Sequence, residues 1–169
     1  MTTPTLQAYA IVACLERHQV RYVLIGGLAA ILHGSPQTTF DADICPARDD
    51  DNLAKLASAL WEMGARIRTS DAPGGLAFSC DVPFLRNVSI LNLVTAFGDL
   101  DLSFTPSGTG GYDDLVEHSL SMSIQGHGVR VASLEDVIRS KEAANRPKDQ
   151  AALPLLRQLL QELRSRGDV

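Results

Sequence analysis

Two aspartates, Asp41 and Asp43, occupy alternate positions, and thirteen residues separate them from a pair of glycines, Gly26 and Gly27. Alternate side chains of a strand point to the same face, so the two carboxylates should lie side by side. Adjacent carboxylates repel each other unless a cation neutralises them, and Mg²⁺ binds a few carboxylates together with phosphate oxygens. Glycines let a backbone approach a phosphate closely. The combination predicts phosphoryl or nucleotidyl transfer, with the aspartates as metal ligands and the glycines at the nucleotide.

These groups need a rigid frame, and the surrounding residues indicate one. Residues 22–25, with the sequence YVLI, form an apolar run typical of a buried strand that ends at the glycine pair. Residues 28–32 predict a short helical turn, and residues 41–45 predict a second strand that ends at Pro46. The alternative is an edge strand with two exposed aspartates after an ordinary turn. The order of strand, glycine pair, helix and aspartate strand favours a functional site.

The composition indicates an ordinary globular protein. The chain has 169 residues, of which 45% are hydrophobic and 21% charged, which suits one domain with or without a small helical appendage. Its three cysteines, Cys14, Cys45 and Cys80, are widely separated and lack metal-ligand spacing, so we expect reduced thiols and a cytoplasmic location. Neither a membrane span nor a signal peptide is predicted.

The charge is unevenly distributed along the chain. The net charge of −5 argues against a general nucleic-acid binder. Residues 130–169 nevertheless hold eight Lys or Arg and six Asp or Glu, a net of +2, against a net of −7 for residues 1–129. On charge alone, a solvated helical face is the favoured interpretation of this C-terminal segment.

The remaining patterns predict an α/β fold, with a small twisted mixed sheet and flanking helices. Residues 1–131 form the predicted core, and residues 132–169 form a C-terminal helical segment packed on it. Pro154 is expected to begin the last helix, because proline in a helix interior causes a kink. The predicted helices are 5–19, 49–63, 112–118, 133–144 and one from 154, and the other predicted strands are 66–69, 76–79, 88–94, 99–104 and a hairpin over 120–131.

The stretch from residue 22 to residue 45 resembles the motif of the polymerase-β-like nucleotidyltransferase superfamily. The shared features run from the first strand through the glycine pair and a helix ending at His33-Gly34 to the strand of aspartates. Within the superfamily, the chain is similar to small bacterial nucleotidyltransferases grouped with AbiEii-type and MenT-type toxins of toxin–antitoxin systems. The resemblance covers most of the chain and implies the nucleotidyltransferase fold, Mg²⁺ or Mn²⁺ as cofactor, and an NTP as substrate.

The resemblance also implies site residues that lie far along the chain. The third carboxylate of the superfamily usually lies on a later strand, and Asp101 occupies the matching position, with Asp99 as the alternative on the same face. This residue would bind the metal and help to deprotonate the acceptor. Family members use a lysine of the C-terminal helix near the nucleotide phosphates and an aspartate beyond it, which implies catalytic roles for Lys141 and Asp149.

Three residues between the first helix and the aspartates carry separate predictions. Some related toxins are silenced by phosphorylation of a hydroxyl near this point, which implies Thr39 as a candidate regulatory phosphorylation site. A phosphate there would add negative charge beside the carboxylates and repel the nucleotide. Gln37 stands where the family often has an arginine, so the resemblance does not extend to how this loop holds the substrate. His33, at a helix end, is expected to be structural.

Three hypotheses for the function follow. The first is a Mg²⁺-dependent nucleotidyltransferase that moves an NMP to a tRNA 3′ end, as a toxin with a separately encoded antitoxin protein. The second is the same chemistry on a protein or a small molecule such as an antibiotic, which the low positive charge favours over RNA. The third is a non-catalytic module that acts as an antitoxin or a regulatory subunit, against which the intact carboxylates argue.

Overall fold

The chain folds into helices that alternate with the strands of one sheet. The computed structural model describes residues 4–169. The helices are α1 (Ala8–Arg17), α2 (Gly26–Leu32), α3 (Asp50–Glu62), α4 (Val82–Arg86), α5 (Tyr112–His118), α6 (Leu134–Ala144) and α7 (Pro147–Arg166). The strands are β1 (Tyr22–Ile25), β2 (Asp41–Pro46), β3 (Arg66–Ile67), β4 (Ile90–Thr95), β5 (Gly98–Ser103), β6 (Leu120–Ile124) and β7 (His127–Val131).

The sheet is mixed, as predicted. Its seven strands lie in the order β3-β4-β5-β2-β1-β7-β6. β2 pairs with β5, and β1 with β7, in parallel, whereas the remaining neighbours are antiparallel. The two strands that carry the candidate carboxylates, β2 and β5, are therefore central neighbours although more than fifty residues of sequence separate them.

The two faces of the central strands have opposite character. Ala42 and Ile44 of β2, and Leu100 and Leu102 of β5, are buried in the apolar core. The aspartates alternate with them and remain partly exposed. Because side chains alternate along a strand, burial of the apolar face forces the aspartates onto the other face.

The C-terminal segment shares the core of the sheet. The helix predicted over residues 133–144 is α6: Ser133 caps it by accepting a hydrogen bond from the main-chain N–H of Asp136, and Asn145 ends it in the left-handed conformation. Apolar residues of both C-terminal helices belong to one buried cluster with the strands: Leu134, Val137, Ile138, Ala152, Leu153, Leu156 and Leu160. This packing places one face of α6 beside the aspartate face of the sheet.

Two predicted elements were wrong. Pro154 lies inside α7, which begins at Pro147 and continues to Arg166. Proline removes the hydrogen bond to the carbonyl of Gln150, but both residues are on the exposed side of the helix, where water has access to that carbonyl. The strand predicted over residues 76–79 is reduced to a single bridge between Leu76 and Ile67, because the chain leaves the sheet edge immediately afterwards.

One helix was missed. α4 begins after Asp81, whose carboxylate accepts a hydrogen bond from the main-chain N–H of Phe84, and Pro83 stands in its first turn. These are the usual residues of a helix start, but the helix has only five residues and too few apolar positions to show a period. None of the helices within residues 4–169 is long and apolar enough to cross a membrane.

We expect that replacing Leu156 with alanine will destabilise the whole protein and not only the C-terminal segment. Leu156 of α7 is fully buried in the shared core. The substitution should therefore lower the free energy of unfolding by about 2–4 kcal/mol while leaving a single cooperative transition. Urea unfolding followed by circular dichroism measures both quantities. The matched control is Leu155→Ala at the adjacent, half-exposed position, and a split transition would show that the segment folds separately.

Candidate active site

Four carboxylates form a compact acidic face at the centre of the sheet. In the parallel pairing of β2 with β5, Asp41 lies opposite Asp99 and Asp43 lies opposite Asp101. Directly paired residues of adjacent strands project to the same side, so all four side chains project from one face of the sheet. Asp41 and Asp43 therefore acquire two neighbours from the strand predicted over residues 99–104, whose pairing with β2 the local sequence could not show.

Three of these carboxylates converge on one point. Oxygen atoms of Asp41, Asp43 and Asp101 all lie within 4.8 Å of one another. Asp99 is outside this group, and its Oδ2 lies 2.8 Å from a guanidinium nitrogen of Arg68. Of the two residues left open by the sequence pattern, Asp101 is the one that the structure brings to the aspartate pair.

The acidic charge of this cluster is only partly compensated by nearby cations, and the pKa of Asp43 reflects it. Burial, with the nearby charges of Asp41 and Asp101, raises the pKa of Asp43 to about 7. The charges of Lys148 and Lys141 act in the opposite direction on this pKa. A divalent cation among these carboxylate oxygens would remove the repulsion, and oxygen is the ligand type that Mg²⁺ and Mn²⁺ accept. The residues present therefore fit a divalent cation.

The glycine pair lies directly against the cluster. Ile25 at the end of β1 pairs with Asp43, which places the next residue, Gly26, beside that carboxylate. A Cβ on Gly26 would come within 2.6 Å of Asp43 Oδ2, and its φ of +67° is also one that other residues rarely adopt. A Cβ on Gly27 would come within 3.0 Å of the hydroxyl of Thr39. The glycines thus leave room beside the carboxylates.

The loop before β2 contacts both the cluster and the C-terminal segment. The Thr39 hydroxyl donates a hydrogen bond to Asp41 Oδ1 at 3.0 Å, so this residue orients a candidate metal ligand. Gln37 lines the cleft without a side-chain hydrogen bond to the described residues. His33 is buried, and its Nε2 lies 2.7 Å from the carbonyl oxygen of Ala132. His33 is therefore structural, as predicted.

The opposite wall of the cleft is basic. Lys141 of α6 and Arg146 and Lys148 at the start of α7 line the same cleft as the aspartates. Asp149 lies behind them with a fully buried side chain that does not line the cleft. Its Oδ2 accepts a hydrogen bond from Arg146 Nε at 2.7 Å, and its Oδ1 lies 3.5 Å from Lys141 Nζ.

Asp149 therefore orients two cations instead of facing the cleft. Those cations hold the pKa of Asp149 below its ordinary value, although its burial acts in the opposite direction and more strongly than any single contact. Its Oδ2 also accepts a hydrogen bond from the main-chain N–H of Arg146, which closes the first turn of α7. The structure thus brings together the glycine pair, three carboxylates and Lys141, with Asp149 one layer behind.

Sequence patterns missed three basic residues of this region. Arg146 and Lys148 lie in the segment whose charge was interpreted as a solvated face. Arg68 follows β3, and its guanidinium contacts Asp99 and Asp101. Its position depends on the pairing of β3 with β4 and of β4 with β5, which no local pattern encodes.

The cleft between these walls has a volume of about 980 Å³. That volume is at the upper end of the range for small-molecule sites. An acidic face that fits a divalent cation lies opposite a basic wall that could contact phosphate groups. This arrangement, on a mixed sheet with flanking helices, defines the class of nucleotidyltransferases.

Solved structures of this class have the same fold. Lincosamide antibiotic adenylyltransferase LnuA, solved with lincomycin bound, is similar with a TM-score of 0.60 and 17% identity, over 92% of this chain and 99% of that chain. The solution structure of the antibiotic-resistance factor ANT(2'')-Ia has a TM-score of 0.54 and 16% identity, over 94% and 89% of the two chains. Its crystal structure with adenylyl-2''-tobramycin has a TM-score of 0.50 and 16% identity, over 92% and 94%.

The sequence itself identifies the family. Residues 7–152 match the family described as aminoglycoside-2''-adenylyltransferase, and the chain belongs to this family. It is thus a nucleotidyltransferase, and enzymes of this kind use an NTP and typically a divalent metal. Among proteins of curated function, none matches the sequence significantly. The expected superfamily is confirmed.

We expect Asp43→Asn to stabilise the metal-free protein at alkaline pH. The folded protein holds the pKa of Asp43 at about 7, well above its value in an unfolded chain. Between about pH 4 and this value only the folded state keeps the proton, so stability falls as pH rises through this window and stays low above it. Asparagine does not ionise, so the variant should be more stable than the wild type at pH 8 by on the order of 1–2 kcal/mol.

Urea unfolding in EDTA at pH 8 and at pH 4.5 measures this difference. At pH 4.5 the gain should largely disappear, because Asp43 is then protonated in the folded wild type. Asp168→Asn near the C-terminus is the control, since this aspartate is exposed and outside the cleft. A variant less stable than the wild type at pH 8 would show that repulsion at this site is not a significant cost.

Proposed function

We propose that this enzyme transfers an NMP from an NTP to a hydroxyl group of a small-molecule acceptor, with Mg²⁺ or Mn²⁺ as cofactor and antibiotics as the class of acceptor. The observation that carries the proposal is the convergence of Asp41, Asp43 and Asp101 opposite Lys141 in one cleft. Such a cleft can bind a triphosphate and hold an acceptor beside its α-phosphorus.

Each residue of the cluster has a role in this reaction. Asp41, Asp43 and Asp101 would hold the cation, which when bound neutralises phosphate charge and supplies electrostatic stabilisation. Asp101 would also accept the proton of the acceptor hydroxyl while the hydroxyl oxygen of the acceptor forms a bond to the α-phosphorus. The bond from that phosphorus to the bridging oxygen breaks, and pyrophosphate leaves.

The phosphates have a second set of partners. Gly26 and Gly27 would let the backbone at the end of β1 approach them, because glycine carries no Cβ. A Cβ on Gly26 would also collide with Asp43 Oδ2, and one on Gly27 would crowd the Thr39 hydroxyl. Lys141 supplies a compact positive charge from the opposite wall. Asp149 would act through Lys141 and Arg146 as a positioning residue, which refines the catalytic role implied by the sequence.

The charges around the cleft favour a small acceptor over a polynucleotide. An RNA surface needs several cations free to contact phosphates. Most basic side chains of the C-terminal segment instead pair with carboxylates of this chain: Arg139 with Asp114 and Asp136, Lys141 and Arg146 with Asp149, Arg157 with Glu142, and Arg164 with Glu135. The surplus of +2 in this segment therefore does not create a strongly basic surface.

The related proteins support the same choice. The family is named for adenylyl transfer to aminoglycosides, LnuA was solved with lincomycin, and ANT(2'')-Ia with adenylyl-2''-tobramycin. Transfer to a tRNA 3′ end, a toxin role, a cognate antitoxin and membership of the AbiEii-type or MenT-type group stay predictions from the sequence alone. The transfer assay described next tests tRNA and partner proteins as alternative acceptors.

We expect the purified protein with Mg²⁺ to transfer label from an α-labelled NTP to an aminoglycoside or a lincosamide. Asp43→Asn and Asp101→Asn should each lower the rate by about 10³-fold or more, because they remove the ligands of the charge-stabilising cation. Thin-layer chromatography and mass spectrometry of the product measure the transfer, with Asp168→Asn as the exposed control. All four NTPs are tested in parallel.

Total tRNA and candidate partner proteins form separate arms of this assay. Label on tRNA with no label on any antibiotic would contradict the small-molecule proposal and support the toxin hypothesis. No label on any acceptor, together with no Mg²⁺-dependent NTP binding in calorimetry, would contradict catalysis and support the non-catalytic module.

Thr39 provides a test of the regulatory hypothesis. The Thr39 hydroxyl contacts Asp41 Oδ1 and faces Gly27, so a phosphate on it would place negative charge against the metal ligands. We expect Thr39→Glu to reduce transfer by about 100-fold and Thr39→Val, which only loses the hydrogen bond, by about tenfold or less. Initial rates at saturating NTP measure both. Equal losses in the two variants would point to the hydrogen bond and not to charge.

A further inference from the structure

Arg68 contacts the acidic face from the edge of the sheet. One guanidinium nitrogen, Nη1, lies 2.8 Å from Asp99 Oδ2, and the other, Nη2, lies 2.8 Å from Asp101 Oδ1 and 3.0 Å from Asp101 Oδ2. Less than a third of the Arg68 side chain is exposed. A guanidinium in this position contributes positive charge where three carboxylates converge.

The backbone fixes this arginine in place. The main-chain N–H of Arg68 donates a hydrogen bond to the carbonyl oxygen of Asn92 at 2.9 Å, which continues the pairing of β3 with β4. Asn92 in turn pairs with Asp101 across β4 and β5. The guanidinium therefore reaches the acidic face from a residue whose main chain is still paired with β4.

Asp99 differs from the other three carboxylates of the acidic face. It lies opposite Asp41 in the sheet, yet it is outside the convergent group and its charged contact is Arg68. Its Oδ1 is buried and accepts no hydrogen bond from the described residues. This geometry indicates that Asp99 holds the Arg68 guanidinium in place.

We propose that Arg68 is a positioning residue that occupies Asp101 while the cation is absent and remains anchored on Asp99 when the cation takes that carboxylate. This inference rests on the proposed metal site and deepens it. The contact to Asp101 uses both carboxylate oxygens, one of which the cation needs. The contact to Asp99 does not involve a candidate metal ligand and can persist.

Two consequences distinguish this role from simple packing. The guanidinium repels an incoming cation and competes for Asp101, so the site binds its cation more weakly than the carboxylates alone would. The same guanidinium keeps Asp101 aimed at the cluster, where the proposed reaction requires it. Removing Arg68 should therefore tighten binding of the cation and slow the transfer, a pair of effects that loss of packing does not produce.

The experiment measures Mn²⁺ binding to the full chain by calorimetry and by electron paramagnetic resonance, without nucleotide. We expect Arg68→Met, which keeps the apolar stem, to lower the Kd for Mn²⁺ by about fivefold or more because a competing positive charge is lost. Arg68→Lys, which keeps the charge, should stay within about twofold of the wild type. The same Arg68→Met protein should lose about tenfold or more in kcat.

Arg66→Met is the matched control. Arg66 lies two residues before Arg68, in β3, but its guanidinium donates hydrogen bonds to the carbonyl oxygens of Gly74 and Gly75 and not to the acidic face. Its Mn²⁺ affinity should equal that of the wild type. Arg68→Gln, which removes the charge but keeps an amide donor, repeats the comparison should the Met variant fail to fold.

The outcomes separate this inference from the proposed function. The metal site is supported if the wild type binds Mn²⁺ more tightly than Asp43→Asn does. If a folded Arg68→Met protein then binds Mn²⁺ no more tightly than the wild type, the role of Arg68 is overturned and the metal site is not. Wild-type protein that binds Mn²⁺ no better than Asp43→Asn overturns the metal site and the role of Arg68 together.

Discussion

Repulsion between carboxylates is the constraint on which the rest of this structure depends. Asp41, Asp43, Asp99 and Asp101 leave one face of two adjacent strands, and Asp43 has its pKa raised to about 7 as a result of burial and its acidic neighbours. Such a face is unstable by itself and persists only because the opposite face of the same strands is buried in the apolar core. The fold thus holds together groups that would otherwise separate.

The compensating positive charges come from two parts of the structure, one edge of the sheet and the C-terminal helices. Arg68 reaches Asp99 and Asp101 from the β3 edge, and Lys141 and Lys148 approach Asp43 from the C-terminal helices. These cations only partly offset the acidic charge. The remaining negative charge makes the site suitable for a divalent cation, which would balance the charge that the protein leaves uncompensated.

The C-terminal segment links stability to function. The apolar side of α6 and α7 completes the core, while Lys141, Arg146 and Lys148 face the cleft. Asp149 connects the two roles, because its buried carboxylate closes the first turn of α7 and orients two of those cations. Gln37 lines another part of the same cleft.

The sequence by itself determined the elements in which pattern and chemistry are local. Alternation placed Asp41 and Asp43 on one face, the glycine pair marked the end of β1, and the helix predicted over residues 133–144 is α6. Resemblance then indicated Asp101 and Lys141. Only the tertiary structure decided between Asp101 and Asp99, moved Asp149 behind the cleft wall and revealed Arg68. Those outcomes depend on strand order, register and helix packing, which are set by contacts between residues far apart in the chain, and local periodicity carries no information about such contacts.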